Sequence, residues 1–358
     1  MWFRPDPSEL PDASGIHPEL SSARAREALG DAVRRTPIVP LPALRRGGPS
    51  LFGKLENRQE TGSFKARGAL WNVMALSDEE RARGVVASSS GNHGRALAWA
   101  AGLKGVRATI VMAKNAYPNK IEACRAEGAE VVLAEDRFGA DVIAAERAEA
   151  GAVWVHPYDR PGTVEGAGTV GVEIAEHFGG DPPDAVVFCV GGGGLASGSA
   201  LALRRAYGPR VALFGAEPVG AATMSAGLAA GASVPLEAIT SGVQGLTPPF
   251  AGGLNVELCG ALLDGVITLP DEAILAAQAR LVRPAGAWAG EVVEPAGGAA
   301  YAAAGSDGFA DRVLETLGAR GFAPAGRPLR VVVTVSGGNP DPAQLDALRA
   351  EPATGGAQ

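Results

Sequence analysis

The sequence predicts an α/β protein in two lobes, and three observations carry that expectation. Between residues 51 and 148 four short apolar runs each give way to a helical pattern. Repeated strand-to-helix units demand parallel pairing with helices on the sheet faces. A second series begins near His156 and includes residues 185–190, a continuous apolar run suited to a strand buried on both faces. At 358 residues the chain can form a sizeable core and divides more naturally into two lobes than into one body.

In chain order, residues 1–17 are polar and Pro-rich and read as an arm over the surface. Residues 18–33 carry a helical pattern that Arg35-Thr36-Pro37 ends, because the residue before proline avoids the helical region. A short strand at 51–55 leads into the stretch from Glu56 to Ala69, and a helix over 64–76 stops at Ser77-Asp78. Strands at 84–87, 107–112 and 130–133 then alternate with helices ending at Ala101 and spanning 118–127 and 139–148. In the second series, helices at 163–178 and 195–207 flank the strand at 185–190, and a strand at 211–215 follows. Residues 219–255, rich in Gly, Ala and Pro, yield no assignment. Helices at 271–282, 296–304 and 308–319 precede a strand at 330–335, and the small polar tail at 351–358 reads as disordered.

Composition narrows the function classes. With 46% hydrophobic and 20% charged residues the chain is an ordinary globular protein. A net charge of -7 with no compensating Lys/Arg run argues against nucleic acid and anionic membranes and leaves small molecules as partners. Cys124, Cys189 and Cys259 are widely separated in apolar surroundings without a CxxC, a pattern of buried thiols in a reducing compartment. The N-terminus lacks the basic start and apolar core of a signal peptide, and glycines and serines interrupt the uncharged span 185–203. A cytoplasmic protein is expected.

Two strand-to-helix loops, the segment that closes the last strand and one lysine carry the chemistry. Lys65, behind Ser63-Phe64 and entering an apolar helix, is placed where an amine can be desolvated and made nucleophilic, although an ordinary helix-start lysine reads the same way. Gly191-Gly192-Gly193-Gly194 joins a buried strand to a helix, where backbone N–H groups cradle a phosphate at the crevice beyond the strand ends. Its Gly191-x-Gly193-x-x-Ala196 spacing, with Glu217 at the end of the next strand, also fits a dinucleotide fingerprint and keeps an NAD(P)-dependent oxidoreductase as a rival. Ser88-Ser89-Ser90-Gly91-Asn92-His93 offers hydroxyls, an amide and free N–H groups to a carboxylate, with Ser90 or Asn92 expected to cap the helix. Ser336-Gly337-Gly338-Asn339 closes the last strand. No HxxxH, HExxH or Cys/His cluster points to a transition metal, and no serine elbow points to a Ser-His-Asp hydrolase.

Together these residues resemble the fold-type II pyridoxal-phosphate enzymes, in the branch of threonine/serine dehydratases and serine racemases. The resemblance rests on four motifs in order: Ser63-Phe64-Lys65-x-Arg67-Gly68-Ala69, Ser89-Ser90-Gly91-Asn92-His93, Gly191 to Gly194, and Ser336-Gly337-Gly338-Asn339. It covers nearly the whole chain and implies the tryptophan-synthase-β-like architecture. Residues 1–80 and 158–358 would form the large cofactor-binding lobe and 81–157 the smaller mobile one, with the active site between them. By resemblance Lys65 holds pyridoxal 5'-phosphate as a Schiff base, Phe64 lies against its ring, Asn92 donates to the phenolic oxygen, and Gly191 to Gly194 bind the phosphate. Ser336 would contact the pyridine nitrogen, Glu294 would lie near the ring, and Ser89, Ser90, Gly91, Asn92 and His93 would close over the substrate carboxylate.

The activity implied is dehydration of a β-hydroxy amino acid such as L-threonine or L-serine to a 2-oxo acid and ammonia. By resemblance, Lys65 takes the α-proton, the β-hydroxyl leaves as water with a proton from the nearby phosphate, and the resulting aminoacrylate hydrolyses to the 2-oxo acid and ammonia. Racemisation of an amino acid is the close alternative, with Ser90 as the second acid/base. A dehydratase of another substrate such as hydroxyaspartate is also consistent, and a homodimer is the usual state of the branch.

Departures from the pattern bear on the substrate. Arg95 follows Gly91-Asn92-His93-Gly94 where Gln is common, Gly166-Ala167-Gly168-Thr169 replaces Gly-Gln-Gly-Thr, and Gln244-Gly245-Leu246 stands for Asp-Gly-Leu. The branch's Mg²⁺ or Ca²⁺ site would fall on Glu217 and Ala221, but Thr223 replaces its Asp and weakens the oxygen-ligand set. The chain ends soon after Asn339, so no regulatory C-terminal domain and no feedback inhibition by isoleucine are expected.

Overall fold

The computed structural model describes residues 1–4, 6–324 and 326–350. The first half of the chain runs β1 (Trp2–Phe3), α1 (Ser22–Leu29), β2 (Ile38–Pro40), β3 (Ser50–Leu55), α2 (Lys65–Met74), α3 (Asp78–Arg83), β4 (Val85–Ser88), α4 (Asn92–Leu103), β5 (Ala108–Ala113), α5 (Pro118–Ala126), β6 (Glu130–Ala134), α6 (Arg137–Glu149) and β7 (Val153–Trp154). The second half runs α7 (Pro161–Phe178), β8 (Ala185–Cys189), α8 (Gly194–Tyr207), β9 (Ala212–Pro218), α9 (Thr223–Ala230), α10 (Gly253–Leu262), β10 (Gly265–Leu269), α11 (Asp271–Val282), α12 (Ala299–Ala304), α13 (Phe309–Ala319), β11 (Arg330–Val335) and α14 (Pro342–Ala350).

These strands form two sheets. The larger has the order β1-β10-β9-β8-β11-β3-β2, parallel from β10 to β3 with an antiparallel strand at each edge. The smaller, β6-β5-β4-β7, is parallel throughout. β8 is apolar at every position and buried on both faces, as a central parallel strand flanked by helices must be. Helices α7 and α8 cross in close contact because they meet at glycines; a Cβ on Gly198 would lie 2.1 Å from the Val164 carbonyl.

Several expectations need correction. The strand before Lys65 belongs to the larger sheet, where β3 pairs with β11 from Ser50↔Arg330 to Leu55↔Val335, so it does not share a sheet with the strand-helix units that follow it. Residues 1–17 are not merely an arm: Trp2 pairs with Val266, and Arg4 donates to the carbonyls of Gly260, Ala261 and Leu263. Ser77 does not simply end a helix but starts α3, with a reciprocal capping box to Glu80. The unassigned region holds α9 and the first turn of α10, and the structure adds α14 and the strands β2, β7 and β10, of which β2 and β7 are only three and two residues long. The tail at 351–358 lies outside the described residues.

Helix α2 packs toward both sheets. Leu70 and Val73 share a core with Leu97 and Ile110, while Gly68 lies against Thr163 of α7. Its orientation is set by a fully buried ion cluster. Arg67 forks onto Glu56 at 2.7 and 2.8 Å and onto Glu173 at 2.7 and 2.9 Å. Lys54 reaches Glu173 at 2.5 Å and the Thr36 carbonyl at 2.8 Å. With bidentate geometry and its remaining oxygens satisfied, the cluster ties β3, α2 and α7 together.

Candidate active site

Lys65 opens α2 after a turn in which Thr61 (φ 58°) and Gly62 (φ 76°) adopt left-handed backbone. That turn lies along the exit of β11: Ser63 bridges Gly337, and the Phe64 N–H donates to the Ser336 carbonyl at 3.2 Å. The Lys65 amine donates to the Pro157 carbonyl at 2.6 Å and lies 5.0 Å from the Phe64 ring centroid. Burial lowers its pKa from 10.5 to about 8, against the opposing influence of Cys189 and Glu294.

The amine faces a cavity of about 420 Å³ lined by the carboxyl ends of strands from both sheets. Phe64, Lys65, Ser89 to His93, Gly191 to Gly194, Glu294 and Ser336 all line it, so one crevice gathers sequence motifs up to about 270 residues apart.

Two helix N-termini open onto this cavity without side-chain caps. Gly193, in left-handed backbone with φ 98°, is the cap residue of α8. The Gly191 and Gly192 carbonyls are taken up on the side of α9 and α10 by Thr223 Oγ1 at 3.0 Å and Asn255 Nδ2 at 2.8 Å. A Cβ on Gly192 would lie 2.2 Å from the Tyr158 ring, so the loop tolerates no side chain there. The unpaired N–H groups and the helix dipole make this end an anion site.

The cap of α4 is Gly91, with no side-chain bond, which corrects the expectation that Ser90 or Asn92 would cap it. Asn92 is committed elsewhere: its Nδ2 donates to Glu294 Oε1 at 2.7 Å and its Oδ1 accepts from Asn339 at 2.8 Å. Ser89 Oγ accepts from the Gly91 N–H at 3.3 Å, and Ser90 is exposed in the cleft. His93 is buried and brought down to a pKa of about 3 by burial, so it is neutral and its Nε2–H donates to the Val155 carbonyl at 2.7 Å.

Ser336 is buried beside Cys189, whose thiol burial pushes up to about 11 and keeps protonated. Burial also raises the Glu294 carboxyl, opposed by its bond from Asn92. Glu294 sits close against the strand exit; a Cβ on Gly337 would lie 2.2 Å from its Oε1.

The residues considered for a cation lie apart from the cavity lining. Both Glu217 oxygens accept backbone N–H groups, from Met224 and Ser225 at 2.9 Å each, so this carboxylate holds the start of α9. Ala221 lies in the preceding turn, and Thr223 donates to Gly191. Among the described residues no group of three His, Cys, Asp or Glu is placed to hold a metal. The sequence reading missed Pro157, Tyr158 and Arg137 in the cavity and gave Asn339 no role. Pro157 acts through a backbone carbonyl, which has no sequence signal, whereas the aromatic Tyr158 beside His156 offered one.

Comparisons with known proteins agree with this geometry. A family model described as pyridoxal-phosphate dependent enzyme matches residues 29–337. The chain is 36% identical to an L-threonine ammonia-lyase of Thermotoga maritima, covering 90% of this chain and 76% of that protein. It is 37% identical to a phenylserine dehydratase of Ralstonia pickettii, covering 76% of this chain and 81% of that protein. Among solved structures, maize serine racemase superposes with a TM-score of 0.81 at 32% identity, covering 91% of this chain and 94% of that one.

Proposed function

The chain belongs to the pyridoxal-phosphate dependent enzymes, on the lyase branch that holds the threonine ammonia-lyases, and from that premise we propose that it dehydrates a β-hydroxy amino acid of the threonine and serine class to a 2-oxo acid and ammonia. One observation carries the reading: a desolvated lysine amine shares a single cavity with two uncapped helix N-termini. Two anion sites are what a phosphate-bearing cofactor and an amino-acid carboxylate require, and the residues present fit both. The N-terminus of α8 with Gly191 to Gly194 would take the phosphate, Lys65 would make the covalent attachment, and Phe64, Asn92, Glu294 and Ser336 would hold the ring.

When bound, the cofactor supplies an electron sink for the pair released at the substrate α-carbon. The chain supplies the rest. Ser89 to His93 and the N-terminus of α4 bind the substrate carboxylate, with neutral His93 offering no charge of its own. The Lys65 amine, half neutral near pH 8 because of its burial, takes the α-proton. Closure of residues 81–157 over the bound substrate excludes water. Racemisation is the second reading, with Ser90, exposed in the cleft, as its second acid/base, a residue that a dehydratase carries as well, and serine racemases of rice are 35% identical over 83% of this chain. The three buried free cysteines accord with a reducing compartment, and a homodimer is part of the proposal.

Release of 2-oxo acid across threonine, serine, hydroxyaspartate and phenylserine, with chiral analysis of recovered serine, tests the reading. Turnover of one of these with loss of the β-hydroxyl is expected. Inversion of serine without 2-oxo acid would transfer the assignment to racemase, and no chemistry on any of them would overturn it.

A further inference from the structure

Asn339 ends the segment that closes β11, and the chemistry above leaves it unused. Its Nδ2 donates to the Thr61 carbonyl at 2.9 Å and to Asn92 Oδ1 at 2.8 Å. Its Oδ1 accepts from the Arg95 guanidinium at 2.9 Å, and its backbone carbonyl accepts from Lys120 Nζ at 2.8 Å. The residue is tightly housed, since a Cβ on Gly62 would lie 2.7 Å from its Oδ1.

A primary amide turned end for end keeps its shape, so its direction is dictated by neighbours that cannot exchange roles. A guanidinium only donates and a peptide carbonyl only accepts. Arg95 and Thr61 therefore fix Asn339 with oxygen toward the former and nitrogen toward the latter. Asn92 must in turn give its oxygen to Asn339, which leaves its Nδ2 directed at Glu294 Oε1, 2.7 Å away, among the residues lining the cavity.

We propose that Asn339 is a positioning residue: the Arg95–Asn339 relay sets the direction of the Asn92 amide, so that a donor rather than an acceptor faces the ring oxygen of the bound cofactor. This rests on the pyridoxal-phosphate reading of the site. The same residue joins α4 and α5, through Arg95 and Lys120, to the exit of β11 and the turn before Lys65, so the amide is set only when these elements are together.

The test is the visible spectrum of the cofactor-loaded protein across pH, without substrate, for wild type, N92A and N339D. In N339D the carboxylate still satisfies Arg95 but turns a second acceptor on Asn92, whose amide must reverse. N339D is expected to move the pH midpoint of the visible band by about one unit, as a lost charge-assisted hydrogen bond would. N92A should move it likewise, and N339D, whose carboxylate also faces the Thr61 carbonyl, is expected to melt below wild type. A wild-type midpoint in N339D overturns the proposal, as does an unshifted N92A. Lower melting temperature and cofactor retention without a midpoint shift would show a structural role only and also overturn it. Should N339D fail to fold, N339A, which removes the donor that holds Asn92 Oδ1, is expected to show a smaller shift, and a wild-type midpoint there is equally fatal. Absence of any visible band in the loaded wild type would instead sink the cofactor reading itself.

Discussion

Lys65 is the residue on which the chemistry turns, and its reactivity follows from where its amine is held. Burial lowers the amine from 10.5 to about 8, so the neutral nucleophile is present above that pH and lost as pH falls below it. Loading of cofactor-free protein with pyridoxal phosphate is expected to slow about tenfold per unit below pH 8 and to level off above it, read by the rise of visible absorbance. Lys65→Ala should abolish that absorbance together with turnover; a variant retaining the band would remove Lys65 from its role. The motif around Lys65 was legible from its neighbours in sequence. Its partner, the Pro157 carbonyl, was not, because a backbone oxygen from a residue 92 positions away leaves no mark in composition.

At the scale of elements, function resides in two helix starts that lack caps. The glycine loop before α8 was readable because a run of glycines at the end of an apolar strand has few other uses. The start of α4 was misread: serine and asparagine favour capping locally, but Asn92 is drawn away by Glu294 and Asn339 across the cleft. Two glycines test the assignment of the two ends. A Cβ on Gly94 would lie 2.3 Å from the Ser89 carbonyl, so Gly94→Ala should push the 89–91 loop outward. Steady-state kinetics should show KM for the amino acid raised about tenfold or more with cofactor retention little changed. Gly192→Ala, which drives a methyl into the Tyr158 ring, should instead weaken pyridoxal phosphate binding in a direct titration. Equal effects of both variants on cofactor and substrate would erase the distinction between the two anion sites.

For the molecule as a whole, the buried ions under α2 matter most. Arg67 neutralises Glu56 and Glu173 at no exposure to solvent, with Lys54 and Arg26 at the margin of the cluster. Arg67→Met leaves two buried carboxylates short of a partner and is expected to cost about 3–5 kcal/mol in denaturant unfolding. A loss below about 1 kcal/mol would mean that solvent reaches the cluster. Because α2 shares a core with β4 and β5 while Arg67 anchors it to α7, the placement of Lys65 depends on both sheets. Among the described residues no helix is long and apolar enough to cross a membrane.

The sequence by itself determined what depends on neighbours along the chain: the alternation of strands and helices, the glycine loop, the lysine motif and the family they resemble. Only the tertiary structure decided which sheet β3 joins, which carboxylates Arg67 meets, which carbonyl receives Lys65 and which way the Asn92 amide points. These are pairings between residues tens to hundreds of positions apart. They are selected by shape, burial and donor–acceptor matching, and a hydrogen-bond partner supplied by a backbone carbonyl or a reversible amide carries no pattern in the order of amino acids.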